Sequence, residues 1–199
     1  MTSGLRERKK QATRLALHEA ALRLVAEHGP DAVSVDDIAD RAGVSPRTFF
    51  NYFPSKVDAV LGLDPEAPHQ QAEALLARPA DESAVDALRA VARAQALDMA
   101  EDMELWPLRL KVIDAHPALL GHLAAAFGDA ERVMADAIAE RTRTTVGVDV
   151  HPTLMAGVAG VALRTSLHRW LASDFTASLP ALVDEAWDAL TAGLPAPRH

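Results

Sequence analysis

The stretch SVDDIADRAGVSPRTFFNYF, residues 34–53, has the pattern of two short helices joined by a glycine turn. Ser34 and Asp37 have the spacing of a capping box, which predicts that a helix begins directly after Ser34. Gly43 stands where this helix has to end, and glycine readily adopts the positive φ that such a turn requires. Ile38 and Ala39 are expected to face inward, where the small alanine lets a second helix cross closely.

The second helix of this stretch is predicted to begin at Ser45, because Ser45 can cap it and Pro46 is tolerated in a first turn. Phe49 and Phe53 are four residues apart and are therefore expected to pack together in the core. Two short helices across a glycine-containing turn are typical of a helix-turn-helix, a unit that reads DNA.

The composition favours an all-α protein. Hydrophobic residues make up 49% of the 199 residues, and the chain has no cysteine, which excludes thiolate metal sites and cysteine nucleophiles. No apolar run approaches the roughly 20 residues of a membrane span, so a cytoplasmic protein without a membrane partner is expected. Prolines loosen residues 64–80, where only a short helical segment is expected. This boundary predicts a helix-turn-helix domain over 1–60 and a larger helical domain over 61–199.

Helical periodicity and the positions of glycine and proline predict about nine helices after a disordered arm over residues 1–8. The predicted helices span residues 9–28, 34–41, 45–52, 55–63, 82–101, 104–115, 117–143, 151–173 and 179–193.

Charge is divided unevenly along the chain. Residues 1–60 carry nine Lys and Arg against eight Asp and Glu, a net charge of +1. The whole chain has a net charge of −8, so residues 61–199 carry −9. A chain that contacts phosphates only near its N-terminus would have this distribution. The alternative is a basic N-terminal segment without a partner.

Residues 9–63 resemble the DNA-binding domain of the TetR family of transcriptional regulators. The resemblance rests on the alanine-rich first helix ending in His28-Gly29, and on SVDDIA at 34–39, AGVS at 42–45, TFFNYF at 48–53 and SK at 55–56. It implies a repressor that binds a near-palindromic, double-stranded operator as a homodimer. The helices from Leu108 to Trp170 also resemble those of family members that respond to acyl-CoA thioesters. A small apolar or amphipathic effector, of which an acyl-CoA is one example, would therefore release the repressor. The sequence contains no glycine-rich phosphate loop, zinc motif or nucleophile–base pairing, so no cofactor, no metal and no enzymatic activity are expected.

The resemblance also implies which residues contact DNA. Arg47 is the strongest base reader, because a guanidinium can donate two hydrogen bonds to guanine. Phe50 stands where the family usually has tyrosine, so one phosphate contact is lost, and Tyr52 can replace it from another direction. Lys56 matches a phosphate-binding lysine of the family. The full predicted set is Ser34, Ser45, Pro46, Arg47, Thr48, Phe50, Asn51, Tyr52 and Lys56.

The last two helices are the expected dimer surface, and small residues such as Ala156, Gly157 and Ala162 would allow close approach. Trp187 is expected at this interface, with burial in the chain's own core as the alternative. The candidate effector-binding residues are Met99, Met103, Trp106, Leu110, Leu123, Phe127 and Arg164, although such side chains also form ordinary cores. A helical ligand carrier or enzyme with no specific DNA binding is the competing hypothesis.

Overall fold

The computed structural model describes residues 3–101 and 103–194, and these residues form ten α-helices and one 3₁₀ turn. The all-α prediction is therefore confirmed, with one helix more than expected. The helices are α1 (Ser3–His28), α2 (Val35–Arg41), α3 (Pro46–Phe49), α4 (Lys56–Leu61), α5 (Ala67–Leu76), α6 (Ala84–Glu101), α7 (Trp106–Ala115), α8 (Ala118–Thr142), α9 (Val150–Ala172) and α10 (Leu179–Thr191), and the 3₁₀ turn is Met103–Leu105.

Three local predictions need correction. Helix α1 begins at Ser3, within the predicted disordered arm, whose first two residues lie outside the described part of the chain. Helix α3 ends at Phe49, because Tyr52 N–H donates to the Phe49 carbonyl and tightens the chain into a turn. Helix α5 fills ten residues of the stretch predicted to hold only a short helical segment, since Pro68 lies in its first turn, where proline costs no hydrogen bond.

The chain divides into two compact units. Met1–Glu66 and Glu104–Ala126 make the first, and Ala67–Met103 and Phe127–His199 make the second. By packing, therefore, α7 and the start of α8 belong with the N-terminal helices. The functional division at residue 60 stays a prediction.

The core of the first unit lies where α1 packs against α2, α4 and α7. Phe49, Phe53, Ile38 and Ala39 are all fully buried there, as the sequence predicts. Side chains from the later segment join the same core, namely Leu105, Val112 and Leu119. Helices α1, α2 and α4 therefore share one core with α7.

The second unit is built around α6, α9 and α10, which pack against one another. Arg89 and Arg93 of α6 both form ion pairs with Asp184 of α10, at 2.9 and 3.0 Å. At the last turn of α8, Arg141 donates hydrogen bonds to four backbone carbonyls at and after the end of α5, those of Leu75, Arg78, Pro79 and Glu82. No helix in the described residues combines the length and the hydropathy that crossing a bilayer requires.

The prediction for Trp187 is wrong. Its side chain is only 1% exposed and lies in the second unit's own core. Leu182, Ala156 and Ala162 are buried as well. The physical reason is that the apolar stripe of α10 is used within the chain, against α6 and α9. An apolar stripe in a sequence does not distinguish these two uses.

Candidate nucleic-acid interface

A complete capping box starts α2. The Ser34 hydroxyl accepts from the Asp37 N–H at 3.1 Å, and the Asp37 carboxylate accepts from the Ser34 N–H at 2.8 Å. The Ser34 hydroxyl also donates to this carboxylate at 2.5 Å, and the two hydrogen bonds from Ser34 lower the pKa of Asp37. Ser34, a predicted phosphate contact, is thus already engaged in holding its own helix.

Gly43 makes the turn between α2 and α3. Its φ is +69°, as predicted, and the Val44 N–H donates to the Ala39 carbonyl at 2.9 Å to close the turn. No other part of the structure lies within 4 Å of the position that a Cβ would take. Glycine is therefore required here for its backbone conformation and not for space.

Helix α3 is a single turn held by its own cap. The Ser45 hydroxyl accepts from the Thr48 N–H at 3.1 Å and lies 2.8 Å from the Thr48 hydroxyl. Pro46 takes the first position of the helix and is exposed. Thr48 is half-buried, and its hydroxyl belongs to this cap through its contact with Ser45.

Three exposed side chains share the outer face of this turn. Arg47, Phe50 and Asn51 have the i, i+3, i+4 spacing that places side chains on one helical face, and Phe50 keeps a helical backbone with φ −67°. We name this set the recognition face. Within the described residues, Arg47 forms no ion pair and no hydrogen bond, so its guanidinium is available.

Phe50 is the unusual member of the recognition face. Its side chain is 58% exposed, and its ring meets the buried ring of Phe49 edge to face, with centroids 5.4 Å apart. Tyr52, in contrast, is half-buried and packs against the core of the first unit. Of these two aromatic residues, the more exposed one is therefore Phe50, which has no hydroxyl.

Lys56 has a role that its sequence position does not suggest. Its ammonium group donates to the backbone carbonyls of Pro30, at 2.6 Å, and Val33, at 2.8 Å. These bonds hold the loop between α1 and α2 against the start of α4. An ammonium has three N–H groups, so at most one remains for the predicted phosphate contact.

The predicted effector-binding residues fall in both units. Trp106, Leu110 and Leu123 belong to the first unit, where Trp106 is buried, whereas the remaining four lie in the second, where Met103 is exposed. The assignment of a common pocket to these seven residues stays a prediction.

The second unit has an open groove of about 850 Å³, which we name the α9–α10 groove. Of the seven candidates, Arg164 alone lines it, and it pairs with Glu131 at 3.6 Å. A Cβ on Gly160 would lie 2.7 Å from this Glu131 carboxylate, so the glycine provides space for the pair. The other lining side chains are mostly apolar and exposed, including Val148, Val150, Leu154, Val161 and Leu194.

Both parts of the chain match known families. The model for bacterial regulatory proteins of the TetR family matches residues 17–61, and the model for the MftR C-terminal domain matches residues 82–195. MftR of Mycobacterium tuberculosis, named as a mycofactocin biosynthesis transcriptional regulator, is 32% identical over 94% of this chain and 93% of its own length. The transcriptional regulator TcmR of Streptomyces glaucescens is 29% identical over 84% of this chain and 76% of its own.

Solved structures show the same fold. SmeT of Stenotrophomonas maltophilia, in complex with triclosan, has a TM-score of 0.59 at 20% identity, over 94% of this chain and 99% of its own. FadR of Thermus thermophilus, in complex with lauroyl-CoA, has a TM-score of 0.53 at 23% identity, over 94% and 97%. The capped helices, the glycine turn and the two family matches lead to one conclusion: this chain belongs to the TetR family of transcriptional regulators.

Proposed function

We propose that this protein is a transcriptional repressor that binds operator DNA in the cytoplasm as a homodimer and leaves it when a small molecule binds. The observation that carries the proposal is the recognition face. Its three side chains point to solvent from a turn whose other side, at Phe49, is fully buried and whose start is capped. A helix fixed in this way can enter the major groove without losing its shape.

Each member of the recognition face suits a different feature of the major groove. Arg47 can donate two hydrogen bonds to guanine O6 and N7, and Asn51 can pair with adenine. Phe50 cannot bond a phosphate, but its exposed ring can pack against a thymine methyl group. The hydroxyls of Ser34 and Thr48 are engaged in caps, so sequence reading rests mainly on these three residues.

The small number of base pairs that one such turn can contact favours a homodimer. A single helix-turn-helix contacts few base pairs, and family geometry uses two copies on a near-palindrome. The α9–α10 groove fits this need, because α9 exposes Val150, Leu154 and Val161 there, and the exposed Val148 and Leu194 flank these helices. Clusters of this kind mark association surfaces. A second copy of this chain is the proposed occupant.

The proposed effector is apolar or amphipathic. The fold relatives SmeT and FadR were solved with triclosan and lauroyl-CoA, which are both of this kind. The seven candidate residues are chiefly apolar and aromatic, with Arg164 as the cationic member. Binding would favour a conformation that no longer matches the operator, which is a shift in population between two states.

Mobility-shift titration against the DNA flanking the protein's own gene tests DNA binding and also separates a repressor from a ligand carrier or enzyme. Arg47→Ala should lose about 1–3 kcal/mol, concentrated on one base pair per half-site. Arg23→Ala is the matched control, because Arg23 is exposed on α1 and pairs only with Glu19 among the contacts described. Equal affinity of the wild-type protein for flanking and scrambled DNA at physiological salt would exclude the proposal.

Sedimentation tests the homodimer. Val161→Asp places a carboxylate in the α9–α10 groove and should convert dimers to monomers, because an unpaired charge is costly to bury. Operator affinity should then fall by about 100-fold or more, as each monomer reads one half-site. Leu97→Asp is the control, since Leu97 is half exposed in the same unit and lies outside the groove. A dimer that survives Val161→Asp unchanged would exclude this surface.

A further inference from the structure

A buried histidine on α1 lies between α4 and α7 in the first unit. His18 of α1 is only 4% exposed, and its two ring nitrogens contact two different helices. Nδ1 lies 2.7 Å from the Ala59 carbonyl of α4, and Nε2 lies 2.6 Å from a guanidinium nitrogen of Arg109 on α7. One side chain thus joins α4 to α7.

The chemistry of the partners fixes the proton on this ring. A carbonyl can only accept, so Nδ1 carries the hydrogen and donates it to Ala59, and a guanidinium can only donate, so Nε2 accepts. The ring is therefore neutral. Burial, and then the charge of Arg109, lower the pKa of His18 to about 4, which agrees with this assignment. Donation runs in one direction, from Arg109 through His18 to Ala59.

Both ends of this hydrogen-bond chain are held tightly. Gly62 caps the end of α4 with a φ of +65°, and a Cβ there would lie 2.7 Å from Arg109 and 3.0 Å from the His18 ring. On α7, the Arg109 guanidinium lies over the Trp106 ring, 4.5 Å from its centroid, in a cation–π contact. Little room is left for Arg109 to shift without moving His18 or Gly62.

The other end of α4 reaches the DNA-reading elements. Lys56, the first residue of α4, holds the carbonyls of Pro30 and Val33, and Ser34 then caps α2 directly after that loop. A displacement of α4 would therefore move the loop that leads into the helix-turn-helix. Apolar contacts tolerate small slides between helices, whereas a buried hydrogen-bond chain has one favourable geometry.

We propose that Arg109 and His18 are positioning residues that couple the placement of α7 to the placement of α4 and, through it, to operator binding. This inference rests on the proposed function, since it concerns regulation of the same DNA interface. Coupling is reciprocal, so operator binding must in turn stabilise the docking of α7. That consequence can be measured without knowing the effector.

Hydrogen exchange of the full-length protein, with and without an operator duplex that the wild-type protein binds, tests this coupling. In the wild type, operator should slow amide exchange in α7 by about fivefold or more, the low end of typical coupling between sites. In Arg109→Met, operator should still slow exchange in α2 and α4 but leave α7 unchanged. Lys111→Met is the control, because it removes a charge from an exposed position of the same helix.

A second pair of variants separates coupling from simple loss of packing. His18→Asn can keep the bond to Ala59 through its amide but cannot reach Arg109, so it should uncouple α7 as Arg109→Met does. Arg109→Lys retains a donor and the charge, and it should restore part of the response.

Normal operator binding with no change of α7 exchange in the wild type would overturn the inference and leave the repressor proposal intact. Preserved coupling in both Arg109→Met and His18→Asn would overturn it as well. A wild-type protein that binds no DNA specifically would remove the proposed function, and this inference with it.

Discussion

Arg109 in the first unit and the pair of Arg89 and Arg93 in the second are held in different ways. In the first unit, Arg109 lies against an aromatic ring and donates to a neutral, buried histidine. In the second, Arg89 and Arg93 of α6 meet the carboxylate of Asp184 on α10, where all three side chains retain solvent contact. The first arrangement requires that His18 stays uncharged, whereas the second requires that Asp184 stays charged.

Because of this difference, the two sites should lose their contribution to stability at different acid pH values. Burial opposes ionisation of Asp184, but hydrogen bonds from Arg89 and Arg93 outweigh it and lower the pKa of Asp184. The stabilisation from a carboxyl with a lowered pKa is present above its usual value of 3.8 and is lost only as the pH falls below it. The stability that depends on a neutral His18 is lost in a higher pH range, between 6.5 and about 4. The first unit should therefore weaken before the α6–α10 ion pairs do.

The largest expected effect is acid destabilisation through His18. Below pH 6.5 the unfolded chain takes up a proton at His18, but the folded chain does not do so until about pH 4, so stability falls across this interval. The expected loss is about 3 kcal/mol. Urea unfolding of wild type and His18→Asn at several pH values measures it. Equal pH dependence of the two proteins between pH 6.5 and 4.5 would contradict the assignment of a neutral ring.

A smaller effect is expected from adding one methyl group at Gly62. Gly62→Ala should cost about 2 kcal/mol or more, because it combines left-handed backbone strain with displacement of Arg109 and the His18 ring. Gly43→Ala is the matched control, since its φ is similar but no neighbour lies within 4 Å, and about 1 kcal/mol is expected. Thermal unfolding compares the two variants. Equal losses would show that the contacts around Gly62 give way easily.

The smallest effect is expected for the ion pairs of the second unit. Asp184→Asn should destabilise by about 1 kcal/mol at low salt, and less at 0.5 M NaCl or so, because partly exposed pairs are weak and screened. Asp188→Asn, which affects the more exposed partner of Arg89, should cost less. Denaturant titration at two salt concentrations checks both. A loss at Asp184 that is independent of salt would place this pair nearer to the buried arrangement of Arg109.

Local signals explain what the sequence predicts well. The Ser34–Asp37 box, the positive φ of Gly43 and the Ser45–Pro46 start each depend on residues within four positions of one another. Such interactions are encoded in short segments, so they can be identified without knowing the tertiary structure. The same holds for the inward-facing Phe49 and Phe53.

Contacts between distant segments explain what the sequence does not predict. His18 and Arg109 are 91 residues apart, and Lys56 lies 26 residues from the Pro30 carbonyl that it binds. No periodicity or motif marks either pairing. Trp187 shows a second difficulty, because an apolar helix face has the same sequence pattern whether it packs against its own chain or against another.

The shared core of the first unit has a consequence for protein engineering. A chimera made by transplanting residues 1–61 onto another effector domain would leave behind Leu105, Arg109, Val112 and Leu119, which complete that core or bond to His18. The transferable module is discontinuous in sequence and includes Glu104–Ala126. Fusions cut after α4 are therefore expected to express poorly or bind their operator weakly, whereas hybrids that carry both segments should retain the parental specificity.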